Sequence, residues 1–225
     1  MNHGSEILPM PLQNRVTPFG DIITTPDRGM FTGNRGILHN DHQQLIKNYT
    51  LKAWITCRLN YRNIKREVMK GRKWTELFFL DEASAFAAGH RPCAFCRNEA
   101  YKLFKKIWLA ENHSFFVIEN ESVKTIDNIL HLERMTSDRK KKTHPYQLHE
   151  LPDGTIFART EEINADYRKA YLWYGKKAWL WNSFGYSKPE IPLLDEMVNA
   201  LTPPSIVRCF RNGYQPVLHH SLHDY

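Results

Sequence analysis

Hydrophobic positions in this chain come in short runs whose period changes along its length. Between Ala53 and Tyr61, Ala53, Ile55, Cys57, Leu59 and Tyr61 alternate with Trp54, Thr56, Arg58 and Asn60. That period of two predicts a β-strand with Cys57 on the face of Ile55 and Leu59. The run TELFFL, Thr75 to Leu80, predicts a second strand leading into Asp81. Asp81 suits an N-cap, because its carboxylate can accept from the unpaired N–H groups of a first helical turn; EASAFAA then forms a short helix that Gly89 can end in a left-handed cap. Beyond Pro92, Ala100, Leu103, Phe104, Ile107 and Trp108 fall at i, i+3, i+4, i+7 and i+8, which predicts an amphipathic helix over residues 97–110.

After Asn112 the pattern turns toward strands. SFFVI, GTIFAR after the turn LPDG, KAYLWYG and KAWLWNS are short aromatic runs at close spacing, which predict a small twisted antiparallel sheet or open barrel. The polar segment from Arg134 to His144 interrupts it. A last helix is expected to start near Thr202, with Pro203 in its first turn, and to end before Gly213. Residues from Asn14 to His39, with TPFGD, TTPDRG and TGNRG in succession, read as loops. The fold class expected is α+β, with a division near Asn112. Residues 1–112 form a loop-rich segment plus a Cys-x-x-Cys element, and residues 113–225 a β-rich region with a short terminal helix. A chain of 225 residues can bury a core without a metal for bulk stability.

Charge narrows the partners. Lys and Arg number 31 against 24 for Asp and Glu, a net charge of +7, so the field favours polyanions such as nucleic acid. No stretch approaches the roughly 18 apolar residues of a membrane span, and the opening MNHGSEILPMPLQN has no charged start followed by a long apolar run. A cytoplasmic protein is expected. There Cys57, Cys93, Cys96 and Cys209 are thiols or metal ligands rather than a disulfide framework.

The segment AGHRPCAFCR, Ala88 to Arg97, holds Cys93 and Cys96 in a C-x-x-C turn between two predicted helices. Such a pair can ligate zinc, or it can be two buried thiols in an apolar turn. A redox pair should open a helix after a strand, whereas this one follows a helix.

The wider stretch FFLDEASAFAAGHRPCAFCR resembles the metal-binding N-terminal domain of the Ada proteins of DNA alkylation repair. In that family a strand and an alanine-rich helix end in a Gly-aromatic-Arg-Pro-Cys-x-x-Cys turn, matched here by Gly89, Arg91, Pro92, Cys93 and Cys96 with His90 in place of the aromatic. The resemblance covers at most residues 54–108. It implies a zinc site with Cys93 and Cys96 as ligands and Cys57, followed by Arg58, as a third. It also implies a DNA-linked role, in which the residue at the Cys57 position binds zinc and accepts a methyl group. The family's fourth cysteine is missing, because Tyr61 stands in its place. Structural zinc normally takes four ligands, so three thiolates leave one corner open or filled by something else, with His39, His90 and Cys209 as candidates.

Two basic segments suggest phosphate contacts. TPDRGMFTGNRGILHNDH places Arg28 and Arg35 among Gly29, Gly33 and Gly36, a loop that can hold a phosphate or merely use glycine for positive φ angles. HLERMTSDRKKKTHPYQLH gathers Arg134, Arg139, Lys140, Lys141 and Lys142 within nine residues, with Trp173, Tyr174, Trp179 and Trp181 downstream as stacking partners or core. Of these, Arg28, Arg35 and the run from Arg139 to Lys142 are, with Arg91, the candidate nucleic-acid contacts, DNA ahead of RNA. The alternative is a metal-dependent hydrolase or nuclease that uses His131 with Glu133, or His39 with Asp41 and His42, and keeps the cysteines structural.

Overall fold

A computed structural model describes residues 10–62, 68–71, 73–118, 120–163 and 168–223. It is α+β. The first sheet contains β1 (Gln13–Val16), β2 (Ile22–Thr24), β3 (Phe31–Asn34), β4 (Ile55–Arg58), β5 (Leu77–Phe79) and β6 (Arg91–Pro92), in the order β2-β1-β5-β3-β4-β6. Its ladders are antiparallel except for β1 with β5 and β4 with β6. The second sheet contains β7 (His144–Gln147), β8 (Ile156–Arg159), β9 (Tyr171–Tyr174), β10 (Lys177–Asn182), β11 (Gly185–Tyr186) and β12 (Met197–Ala200). Its order is β11-β10-β9-β8-β12-β7, antiparallel throughout. Four helices accompany them among the described residues: α1 (Glu82–Ala87), α2 (Asn98–Asn112), α3 (Val123–Arg134) and α4 (Pro204–Arg211).

Helix α1 sits where the halves meet, because its short alanine-rich sequence lets elements approach on every side. All six of its residues are buried. Asp81 caps it, accepting from Ser84 N–H at 2.8 Å and the Ser84 hydroxyl at 2.7 Å. The same carboxyl accepts from the Tyr186 hydroxyl and His219 N–H, which ties the second sheet and the C-terminal segment to this helix start. One face, Ala83 and Ala87 with Leu80, packs among Ile156, Leu172, Trp179 and Leu201. Another, Phe86, packs with Phe104 and Trp108 of α2, Ile126 and Leu130 of α3, and Ile206 and Phe210 of α4.

Among the described residues, the clusters around α1 therefore draw on both sides of Asn112. Asn112 is itself buried: its side-chain amide donates to Trp108 O and Ser205 O, and its oxygen accepts from Arg208 Nε at 2.6 Å.

Three sequence expectations need correction. The stretch from Asn14 to His39 is not all loop, since it supplies three short strands of the first sheet. Its glycines partly hid this. Gly29 and Gly33 do not supply positive φ; they sit where backbone crowds in, and a Cβ on Gly33 would lie 2.1 Å from Ile55 O and one on Gly29 2.0 Å from Phe79 O. SFFVI forms no strand among its described residues. Phe116 and Ile118 pack against the α2–α3–α4 cluster, so apolar burial is met without a ladder. The third is helix α3, absent from the expected elements, although Ile126, Ile129, Leu130 and Glu133 share a buried stripe and Ser122 caps its start.

Candidate metal centre and basic pocket

Strand β4 and the turn after β6 bring the cysteines together. Parallel pairing of β4 with β6 sets Thr56 opposite Pro92, and Cys93 N–H donates to Thr56 O at 2.9 Å. The chain then turns tightly, with Arg97 N–H bonded to Cys93 O, before entering α2. As a result Cys57 joins the Cys93–Cys96 pair from a distant part of the sequence, and the three sulfurs lie within 4.8 Å of one another, buried and without a disulfide. Thiolates on a tetrahedral zinc, at about 2.3 Å from the metal, stand about 3.8 Å apart, so the donor set fits a metal ion with little adjustment.

Hydrogen bonding orders the three thiols. Cys93 is pushed well down because it accepts from the Cys57 and Cys96 thiols and from the backbone N–H groups of Cys96 and Phe95, the last at 3.4 Å. Cys57 is pushed up, first by donating to Cys93 and Cys96 and then by burial. Ile55 and Tyr61 pack against the cluster. Tyr61 meets Phe95 edge-on at 5.2 Å and the Arg62 guanidinium lies 5.2 Å from the Tyr61 ring, so the residue at the missing cysteine's position covers the site.

Among the described residues no other His, Cys, Asp or Glu joins this group. Each proposed fourth ligand is engaged elsewhere. His39 bonds Thr75 Oγ1 at 2.7 Å and Gly71 O at 3.2 Å. His90 Nε2 accepts from Arg35 Nε at 3.2 Å between the Trp54 and Phe79 rings, and burial holds it neutral. Cys209 donates to Ser205 O within α4. The hydrolytic groupings disperse as well. His131 Nδ1 meets Arg134 Nη2 at 3.1 Å, while Glu133 accepts from Ser205 N–H; Asp41 and His42 lie on the surface.

The candidate phosphate contacts divide into two sets. Arg35, Arg139, Lys140 and Lys141 line one pocket of about 460 Å³, joined by Trp54, Asp21, Arg134 and Arg168. Arg28 is exposed elsewhere, and Lys142 lies on the neighbouring surface. Arg91 departs from the expected role: it is buried, and its guanidinium makes a two-pronged pair with Asp127 at 2.7 and 2.8 Å. Of the aromatics offered for stacking, Trp173 and Trp179 are core and Tyr174 is partly exposed.

Arg134 opens the basic run but stands apart from its solvent-facing members, being as deeply buried as Arg35. The signal for that burial was the helical stripe of α3, which ends by pointing Arg134 inward. Arg134 Nη1 and Nη2 donate to Gly89 O at 2.8 Å and Lys52 O at 2.6 Å, and its guanidinium stacks 3.9 Å from the Trp54 ring centre. Arg35 stacks on the same ring at 4.0 Å. Burial and the proximity of Arg134 push Lys141 down to about 7, while its Nζ donates to Ala87 O and to Leu201 O.

The Lys141 shift fixes the sign of a pH effect. A depressed folded value means the unfolded chain takes up the proton first as pH falls, so stability is lost between the unfolded value near 10.5 and the folded one near 7. Wild-type protein should therefore lose stability relative to Lys141→Met as pH drops from 10 to 7, with the difference levelling off below 7. Denaturant unfolding of both proteins across that range measures it, and a constant difference would show Lys141 charged throughout.

Fold and site together define an α+β protein with a buried three-cysteine cluster and a cation-lined pocket. No family model matches the chain, and comparison with curated proteins and with solved structures finds no match. No helix among the described residues is long and apolar enough to cross a membrane.

Proposed function

We propose that Cys57, Cys93 and Cys96 hold a zinc ion and that the protein binds nucleic acid, DNA ahead of RNA, through the face around Arg139, Lys140 and Lys142. The convergence of three free thiols from β4 and the post-β6 turn supports the metal, and an all-sulfur donor set favours zinc over hard cations. When bound, zinc would neutralise the thiolates and hold strand and turn together. The nucleic-acid reading is supported by Arg35 and the Arg139–Lys141 segment meeting at one pocket although they are about a hundred residues apart. A role in repair rests on the resemblance to the Ada domain, with Cys57 in the acceptor position. Dispersal of the histidine and carboxylate groups favours this reading over a hydrolase or nuclease.

Metal analysis of protein purified without a histidine tag tests the first half: one zinc per chain is expected, absent from Cys93→Ser/Cys96→Ser. Salt-dependent DNA binding tests the second. Reversing the charges of Arg139, Lys140 and Lys142 should weaken binding at low salt and reduce the slope of log K against log salt by about 2 to 3, the loss expected for three phosphate contacts. Affinity that does not change with salt in the wild-type protein ends the nucleic-acid reading.

A further inference from the structure

Burying a cation normally requires a carboxylate or a full set of acceptors beside it. The pocket walled by Arg35, Arg134 and Lys141 departs from this rule. Arg35 and Arg134 are each only 1% exposed. Arg35 Nε donates to His90 and its Nη1 to Gly20 O at 2.9 Å, but its Nη2 has no partner. Arg134 uses both terminal nitrogens, yet its Nε has none. Arg139, Lys140 and Arg168 add positive charge at the rim. The one carboxylate among the lining residues, Asp21, is paired to Arg168.

We infer that this pocket binds a phosphomonoester, the terminal phosphate of a nucleotide or of a nucleic-acid strand, with the unpartnered Arg35 Nη2 and Arg134 Nε as its innermost donors. Two guanidinium groups that line one pocket, each with an unsatisfied N–H, suit an oxyanion with several acceptor oxygens, and the excess of cations favours a dianion over a single carboxylate. An internal phosphodiester carries a nucleoside on both sides, so it cannot bring its oxygens to donors this deeply buried; a terminal phosphate can. The volume also admits a nucleoside behind the phosphate. Trp54, with both guanidinium groups stacked on its ring and only 2% exposed, positions them and is closed to base stacking.

The strand-end form of this inference rests on the nucleic-acid reading, whereas affinity for the free group does not. Isothermal titration of the zinc-loaded full chain with millimolar inorganic phosphate and pyrophosphate, at ionic strength held constant with chloride, separates the two. Saturable binding is expected, tighter for pyrophosphate and at least tenfold weaker in Arg35→Gln. Because Arg35 is buried, the rim variant Lys140→Ala/Arg168→Gln is measured alongside, and it too should weaken binding at least tenfold with its unfolding midpoint preserved. Absence of saturable heat, or equal binding by the rim variant, overturns the inference. A 5′-phosphorylated ten-nucleotide strand that binds at least tenfold better than its 5′-hydroxyl counterpart identifies the strand end as the source. Nucleoside 5′-monophosphate that binds while neither strand does retains the pocket's ligand and removes the nucleic-acid reading.

Discussion

Removing the proposed zinc from the cysteine cluster should lower the unfolding midpoint by about 8–16 °C. Ligand bound only by the folded state stabilises by RT ln(1 + [L]/Kd), about 4 kcal/mol when free zinc is a thousandfold above Kd. For a chain of this length each kcal/mol is worth about 2–4 °C. The loss should remain partial, because the apolar clusters around α1 contain none of the three cysteines. Cys93→Ser should match the chelated protein and no longer respond to chelator. Cys209→Ala, in contrast, should leave zinc content untouched, since that thiol lies in the α2–α4 cluster. Differential scanning calorimetry with and without chelator reads all three. An unchanged midpoint in chelated wild type would make the cluster a set of packing thiols.

What could be read from the sequence followed the range of the interactions. The strand at Ile55–Arg58, the Asp81 cap and α1, α2, the aromatic strands β8 to β10 and the proline-started α4 are set by local period and capping, and each lies within a few residues of its expected place. Cys93 and Cys96 were visible as a motif, and the β4–β6 pairing adds Cys57. Helix α3 was hidden by its neighbour: SFFVI has strand propensity, but its apolar side chains find helices to pack against, which propensity does not register. The pocket was least visible. Its cations come from the segment after β3, the end of α3 and the turn beyond it, and only packing on Trp54 brings Arg35 and Arg134 side by side. Arg91 shows the reverse case, a residue whose motif suggested phosphate contact and whose burial gives it a carboxylate partner instead.

That partner supports the second large effect, a loss of about 3–5 kcal/mol in Asp127→Ala, or about 6–20 °C in midpoint. Asp127 lies on α3 and Arg91 on β6, and each side chain is almost wholly removed from solvent. Removing the carboxylate leaves the guanidinium buried with one further acceptor, Pro92 O at 3.2 Å. Asp127→Asn keeps an acceptor and should lose less. Replacing both partners, as in Arg91→Met/Asp127→Leu, removes charge and counter-charge together and should recover most of the loss, because a buried pair is strong mainly against the breaking of one half. The position of Arg91, two residues before Cys93 in the strand that aligns the turn with β4, couples this pair to the metal centre. Asp127→Ala should therefore weaken zinc retention as well, measured by competition with a chelator, and combining it with Cys93→Ser should cost less than the sum of the two. Additive losses would mean that α3 holds β6 without steadying the cysteine turn.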